Sequence, residues 1–100
     1  MARSSGALKS ASRFSLGRVV ATRGAVSRME EYGVRSFDLL RRHESGDWGD
    51  VCPKDAEANE NDLRDGERLL SRYNFAGEVG VYIITEWDRS LTTVLCPEEY

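Results

Sequence analysis

Hydrophobic and polar residues change their spacing along the chain, from a helical period before residue 66 to an alternating one after it. Two apolar runs rich in β-branched residues, at positions 79–85 and 91–96, flank a polar break at 86–90. This pattern predicts a β-hairpin. Pro97 lacks the amide donor that a strand ladder needs, so we expect the last strand to end before it.

A third strand is predicted just before the hairpin. Alternate residues from 69 to 75 fall into two sets, which are Leu69, Ser71, Tyr73 and Phe75 on one side and Leu70, Arg72 and Asn74 on the other. A turn at 74–78 would join this strand to the hairpin. The three strands would then form an antiparallel meander.

The region before residue 66 carries helix signals. Thr22 is suited to be the N-cap of a helix over 24–32, and Gly33 is suited to end it. Residues 37–43 predict a second helix. Pro53 predicts the first turn of a third helix that ends at Gly66.

These elements predict an α+β fold, with a small three- to four-stranded antiparallel sheet and two or three short helices. Residues 14–21 are expected to lead into the fold, and Leu16, Val19 and Val20 predict a short strand or extended segment there. One domain is expected over residues 14–100, after a disordered basic tail at 1–13. The first dozen residues, which are basic and rich in Ser, Ala and Gly, also fit a mitochondrial-type targeting segment.

The net charge of −3 conceals a strong asymmetry along the chain. Residues 1–29 contain basic side chains and no acid, whereas acids dominate residues 44–67. A row of carboxylates on an exposed helix can imitate nucleic-acid phosphates, although a solvated helix face has the same composition. Residues 1–29, which we call the basic arm, lack a base-reading motif, so direct nucleic-acid binding is not expected.

Several other functional classes lack their sequence signals. Cys52 and Cys96 form no CxxC pair and the chain has a single histidine, so no zinc site or disulfide framework is predicted and both thiols should be reduced. No phosphate-binding loop, dinucleotide fingerprint or nucleophile elbow occurs. We therefore expect no cofactor. No apolar run reaches the roughly 20 residues of a membrane span.

Two segments carry candidate chemistry. The first places His43 near Asp47 and Asp50, which could bind a divalent cation or act in acid–base catalysis. The same residues also fit a turn in which the carboxylates accept bonds from neighbouring amides while Trp48 packs as an anchor. The spacing matches no known metal-binding loop, and both interpretations stay open.

The second candidate segment is the predicted hairpin tip, Glu86-Trp87-Asp88-Arg89-Ser90. Trp and Arg are the residue types most enriched among binding hot spots. A polar turn held by a local bond between Asp88 and Ser90 or Arg89 is the structural alternative. Since a tryptophan in a tight loop must either pack or bind, the tip is a candidate contact surface.

Several segments together resemble a family of small bacterial proteins carried on plasmids, integrative elements and genomic islands. These segments are residues 14–25, Leu40-x-x-His43, Gly46-Asp-Trp-Gly-Asp, Asn59-Glu-x-x-Leu63, Gly66-x-Arg68-Leu-Leu-Ser and residues 83–100. Members are labelled "plasmid-related protein" or "type I restriction endonuclease subunit M". The chain lacks the Gly-rich loop and the Asn-Pro-Pro-Tyr-type motif of a methylase, so the second label is rejected. The resemblance implies a bacterial cytoplasmic protein from mobile DNA.

Three functions are consistent with this sequence. The first is a non-catalytic protein-binding module that inhibits a host defence system, as an anti-CRISPR or anti-restriction protein, by occupying a partner surface. Its candidate contact residues are Glu86, Trp87, Asp88, Arg89, Asp47, Trp48, Asp50, Glu57 and Glu60. The second is a small metal-dependent hydrolase or nuclease that uses His43, Asp47 and Asp50. The third is a nucleic-acid-associated regulator that uses the basic arm.

Overall fold

A computed structural model describes residues 12–100, which form a four-stranded sheet and three α-helices. The elements are β1 (Arg18–Ala21), α1 (Arg23–Glu31), α2 (Ser36–Glu44), α3 (Pro53–Asp65), β2 (Leu69–Ala76), β3 (Val79–Thr85), β4 (Leu91–Leu95) and a 3₁₀ turn at Pro97–Glu99. The predicted α+β class is confirmed. Of the predicted tail, residues 1–11 lie outside the described residues. No helix in the described range is long and apolar enough to cross a bilayer.

The sheet is mixed, and the prediction of a purely antiparallel sheet is wrong. Its strand order is β1-β4-β3-β2, in which the last three strands form the predicted antiparallel meander. β1 pairs with β4 in parallel, with Arg18 opposite Leu91. Hairpins impose antiparallel pairing, but β1 reaches β4 through a long connection that permits either direction. A four-residue strand carries no local signal that specifies its neighbour.

Local capping signals set the helix ends close to where they were predicted. The Thr22 hydroxyl accepts a hydrogen bond from the amide of Ala25 at 3.0 Å and begins α1. Gly66 ends α3 with φ of 74°, a left-handed conformation that glycine adopts without a steric penalty. The second helix is one residue longer at each end than predicted.

Two apolar clusters hold the layers together. The larger one lies between the sheet and helices α1 and α2, and it consists of Ala25, Met29, Leu39, Tyr73, Val81, Ile83, Val94 and Cys96. The smaller one consists of Phe14, Trp48 and Leu69, against which Ala56 and Leu63 of α3 pack. The Phe14 and Trp48 rings stack with centroids 6.2 Å apart. The segment before β1 is therefore part of the core.

The outer edge of β2 is covered by the protein's own polar groups. The Asn59 amide nitrogen donates to the Leu70 carbonyl at 2.7 Å, and the Leu70 amide donates back to Asn59 Oδ1 at 3.1 Å. The Arg72 amide donates to the Trp48 carbonyl at 3.1 Å, and the Asp50 amide donates to the Arg72 carbonyl at 2.6 Å. Because an uncovered edge would pair with other chains, these bonds protect β2.

The Asn59 side chain should be important for stability. We expect Asn59→Ala to lower the free energy of unfolding by about 2 kcal/mol, because the amide and carbonyl of Leu70 both lose their partner. Asn61→Ala is the matched control on the exposed side of the same helix, and it should cost less than about 0.5 kcal/mol. Urea denaturation of both variants measures the difference. Equal losses would show that covering the β2 edge contributes nothing.

Candidate functional site

The segment that contains Asp47 and Asp50 forms a structural turn. Asp47 accepts a hydrogen bond from Arg42 Nε at 2.7 Å and another from the amide of Gly49 at 3.1 Å. The Arg42 guanidinium lowers the pKa of the Asp47 carboxyl below its usual value. Asp50 accepts a bond from the amide of Asn74 at 2.8 Å. Both carboxylates therefore bind groups of this chain, as the structural alternative proposed.

Trp48 and Glu60, two other candidate contact residues, bond to each other beside this turn. Trp48 is only 5% exposed, and its indole nitrogen donates to Glu60 at 2.9 Å. Both Glu60 oxygens accept bonds from Arg13, each at 3.0 Å, and this guanidinium and the indole lower the Glu60 pKa. Arg13, assigned to the tail by sequence, thus contacts α3. Glu57 is exposed on the same helix.

His43 lies at the centre of a buried chain of hydrogen bonds. The imidazole has no exposed surface. Its Nδ1 lies 2.6 Å from Ser71 Oγ and its Nε2 lies 2.9 Å from Thr85 Oγ1. Thr85 in turn lies 2.7 Å from Thr92 Oγ1, and Thr92 donates to the Leu16 carbonyl at 2.7 Å. The chain joins α2, all three strands of the meander and the segment before β1.

The direction of these bonds fixes the imidazole tautomer. A carbonyl only accepts, so the Thr92 hydroxyl gives its proton to Leu16 and accepts from Thr85. The Thr85 hydroxyl has then used its proton and must accept from His43 Nε2–H. Nδ1 is left as the acceptor for the Ser71 hydroxyl. His43 is neutral in this arrangement, with its proton on Nε2.

The burial of His43 has a consequence for its acid–base chemistry. Loss of hydration and, to a smaller extent, the positive charge of Arg89 together lower its pKa from 6.5 to about 4. Both ring nitrogens are occupied by hydroxyl groups, so neither faces Asp47 or Asp50. Within residues 12–100, no three His, Cys, Asp or Glu side chains are placed to hold a metal ion. The residues of the hydrolase hypothesis are not assembled into a site.

The hairpin tip, Glu86 to Ser90, is a tightly bonded turn. The Arg89 amide donates to the Glu86 carbonyl at 2.9 Å, which closes the turn. Asp88 Oδ1 accepts from both the amide and the hydroxyl of Ser90, at 3.1 and 2.6 Å, and these bonds lower the Asp88 pKa. Arg89 has φ of 61°, a left-handed conformation that is uncommon outside glycine. We call this five-residue segment the Trp87 turn.

Arg89 fastens the Trp87 turn to the rest of the protein. Its guanidinium donates to the carbonyls of Glu67 at 2.6 Å, Glu86 at 3.1 Å and Asp62 at 3.4 Å. Asp62 lies in the last turn of α3 and Glu67 lies two residues beyond its end, where cations are favoured by the helix dipole. The guanidinium also lies 5.7 Å from the centre of the Phe14 ring. Arg89 is therefore an internal clamp.

Trp87 is the large apolar side chain of this turn, and 64% of its surface is accessible. Among residues 12–100, no group accepts a hydrogen bond from its indole nitrogen, and no aromatic ring packs against it. The backbone beneath it is held by the bonds of Glu86, Asp88 and Arg89. The structure therefore presents a large aromatic side chain on a fixed turn, free to contact another molecule.

The nine candidate contact residues thus separate into different groups. The Trp87 turn brings Glu86, Trp87, Asp88 and Arg89 together, whereas Asp47, Trp48, Asp50 and Glu60 lie around a different turn and Glu57 lies on α3. Sequence reasoning missed the Asn59 bonds and the His43 chain. The available signal was the polar character of Ser71, Thr85 and Thr92, which occupy inward positions of strands.

Comparison of this chain with protein-family models, with curated proteins and with solved structures finds no match. The candidate site therefore rests on its own geometry.

Proton uptake by His43 in the unfolded chain should destabilise the fold below about pH 6.5, which is above the range in which carboxylates titrate. The unfolded chain takes up this proton near its ordinary pKa of 6.5, but the folded chain does so only at about 4. Unfolding is therefore favoured as the pH falls through this window. We expect the free energy of unfolding to drop by about 2 kcal/mol between about pH 7 and pH 5.

Urea denaturation at several pH values measures this loss, and proton NMR follows the single histidine without ambiguity. His43→Gln, which does not titrate, is the control and should show a flat profile over the same window. A histidine that titrates near 6.5 in the folded protein would contradict the buried, neutral assignment.

Proposed function

We propose that this protein is a non-catalytic protein-binding module that uses Trp87 as the anchor of its contact surface. The observation that carries the proposal is the 64% exposure of Trp87 on a turn that is clamped by Arg89. Asp88 and Glu86 lie beside it and would supply polar contacts at the rim. No reaction is assigned to the protein.

An anchor residue stabilises a complex because it buries a large apolar area while losing little conformational entropy on binding. A tryptophan has two side-chain torsions, so ordering it on binding costs little compared with a lysine or a glutamate. The turn that carries it is already fixed, which reduces the ordering cost of binding further. Tryptophan is also enriched among residues whose truncation costs 2 kcal/mol or more.

The proposed partner is a component of a bacterial host defence system, in the cytoplasm, which the module would inhibit by occupying a surface. The support for this partner class is the resemblance of residues 14–100 to proteins carried on mobile elements. A defence protein is the kind of target that mobile DNA must neutralise. The anti-CRISPR and anti-restriction versions of this proposal share the same contact surface and differ only in the partner.

The acidic residues favour the Trp87 turn over a nucleic-acid mimic as the main contact surface. Such mimicry needs a row of free carboxylates, but Asp47 pairs with Arg42 and Glu60 pairs with Arg13. Two arginines of the basic arm are also in ion pairs, Arg13 with Glu60 and Arg28 with Glu98. These internal ion pairs reduce the number of free charges both in the acidic segment at 44–67 and in the basic arm.

Trp87→Ala should weaken partner binding without changing the fold. We expect the dissociation constant to rise by about 30-fold or more, since a hot-spot truncation costs 2 kcal/mol or more. The partner is first captured from a lysate of a bacterium that carries defence systems and is identified by mass spectrometry. Binding of the purified pair is then measured by calorimetry, and thermal melting of the variant checks the fold.

Phe37→Ala is the matched control, because Phe37 is also an exposed aromatic residue, at 56%, but lies on α2. It should leave the affinity unchanged. Arg89→Ala should instead lower the melting temperature, because it removes the clamp. If Trp87→Ala binds the captured partner as tightly as the unmodified protein, Trp87 is not the anchor and the proposal fails.

A further inference from the structure

Within residues 12–100, no strand or loop pairs with the outer edge of β1, whereas the outer edge of β2 is covered. β1 is the first strand of the sheet order and has β4 on one side only. Val19 is 43% exposed, and Arg18 and Ala21 are also exposed. Within the described chain, the backbone hydrogen bonds of β1 run to β4 and its flanking residue Ser90.

The parallel ladder determines which backbone groups face outward. The Arg18 amide donates to the Ser90 carbonyl at 3.0 Å, and the Thr22 amide donates to the Val94 carbonyl at 2.9 Å. In a parallel ladder the residues that bond to one neighbour alternate with those that bond to the other. The amide and carbonyl of Val19 and of Ala21 therefore point away from β4, and together they offer two donors and two acceptors.

The two edge strands of the sheet differ, because the outer edge of β2 is covered by other residues of the protein. At the β2 edge, Asn59 covers both backbone groups of Leu70, and residues 48–50 cover those of Arg72. No equivalent side chain or loop of the described residues bonds to the outward groups of Val19 or Ala21. An exposed strand edge is a template for pairing with another extended segment.

The charge around β1 identifies the kind of segment that fits. Arg18 begins the strand and Arg23 follows it, and both are exposed. Among the ion pairs of residues 12–100, neither guanidinium has a carboxylate partner, whereas Arg13 and Arg28 have one each. Two unpaired positive charges flank the open edge, so a segment with negative side chains is complementary to it.

A second copy of this chain is a poorer occupant. Two-fold pairing of β1 with itself would be antiparallel, and it would bring the two arginines of one copy against those of the other. Like charges at such an interface oppose association. Parallel self-pairing lacks two-fold symmetry and would not close into a dimer.

We propose that β1 binds an extended, acidic segment of a protein partner by strand addition, through the backbone of Val19 and Ala21, with Arg18 and Arg23 contacting its carboxylates. The proposal rests on the proposed function only in assigning a protein segment as ligand. It does not use Trp87, so the two can fail separately.

A blocked heptapeptide, acetyl-Glu-Thr-Val-Glu-Val-Thr-Glu-amide, is the probe for this edge. Its addition to ¹⁵N-labelled protein should shift the amide signals of Val19 and Ala21 and slow their hydrogen exchange by about tenfold or more. Arg18→Glu should weaken peptide binding about tenfold, because it reverses a charge at the edge. Arg64→Glu makes the same charge change on α3 and should leave binding unchanged.

Val19→Pro removes one outward donor without removing a bond to β4, and it should abolish peptide binding. If that variant does not fold, Arg18→Glu and the exchange data decide the question. Trp87→Ala should bind the peptide normally, which separates this surface from the Trp87 turn. The proposal is overturned if the peptide leaves both amides unchanged at about 1 mM. It is equally overturned if a peptide with lysine at the glutamate positions binds as well, or if Val19 and Ala21 become protected by self-association.

Discussion

The buried chain of hydrogen bonds through His43 is the constraint on which the rest of this structure depends. An imidazole and three hydroxyl groups lie inside the core, where any one of them left unpaired would cost about 1–3 kcal/mol. The observed arrangement pairs them all: it places α2 over Ser71, Thr85 and Thr92 in one register, and the last hydrogen bond runs to the Leu16 carbonyl. Apolar packing alone would tolerate a shift of α2. The hydrogen bonds of His43 would not, because a shift would leave buried polar groups unpaired.

The same chain also positions the Trp87 turn. Because Leu16 is held by Thr92, the preceding Phe14 ring packs edge-on against His43 at 5.2 Å and lies beneath the Arg89 guanidinium. Arg89 then links the turn to the end of α3. The rigidity beneath Trp87 thus comes from the core. Trp87, whose side chain is largely exposed, is therefore presented by neighbouring residues that are held in place by hydrogen bonds within the protein.

The sequence was sufficient for the elements whose signals are local, namely the hairpin with its period of two and the helices with caps at Thr22 and Gly66. It was insufficient for the direction of β1 and for the roles of His43 and Arg89. The partners of His43 lie 28 and 42 residues away, so no spacing motif contains them. Arg89 is a candidate contact residue because its residue type is enriched at interfaces, but no sequence signal indicates that its guanidinium bonds to carbonyls of this chain.

The two proposed contact surfaces are neighbours at one end of the sheet. The Arg18 amide donates to the Ser90 carbonyl, so β1 begins beside the Trp87 turn. Gly17, with φ of 64°, lies so close to this turn that a Cβ atom there would overlap the Arg89 carbonyl. A strand added along Val19 and Ala21 would therefore extend toward the turn that carries Trp87. One partner could supply both contacts, with backbone pairing setting its register and the indole providing the apolar anchor.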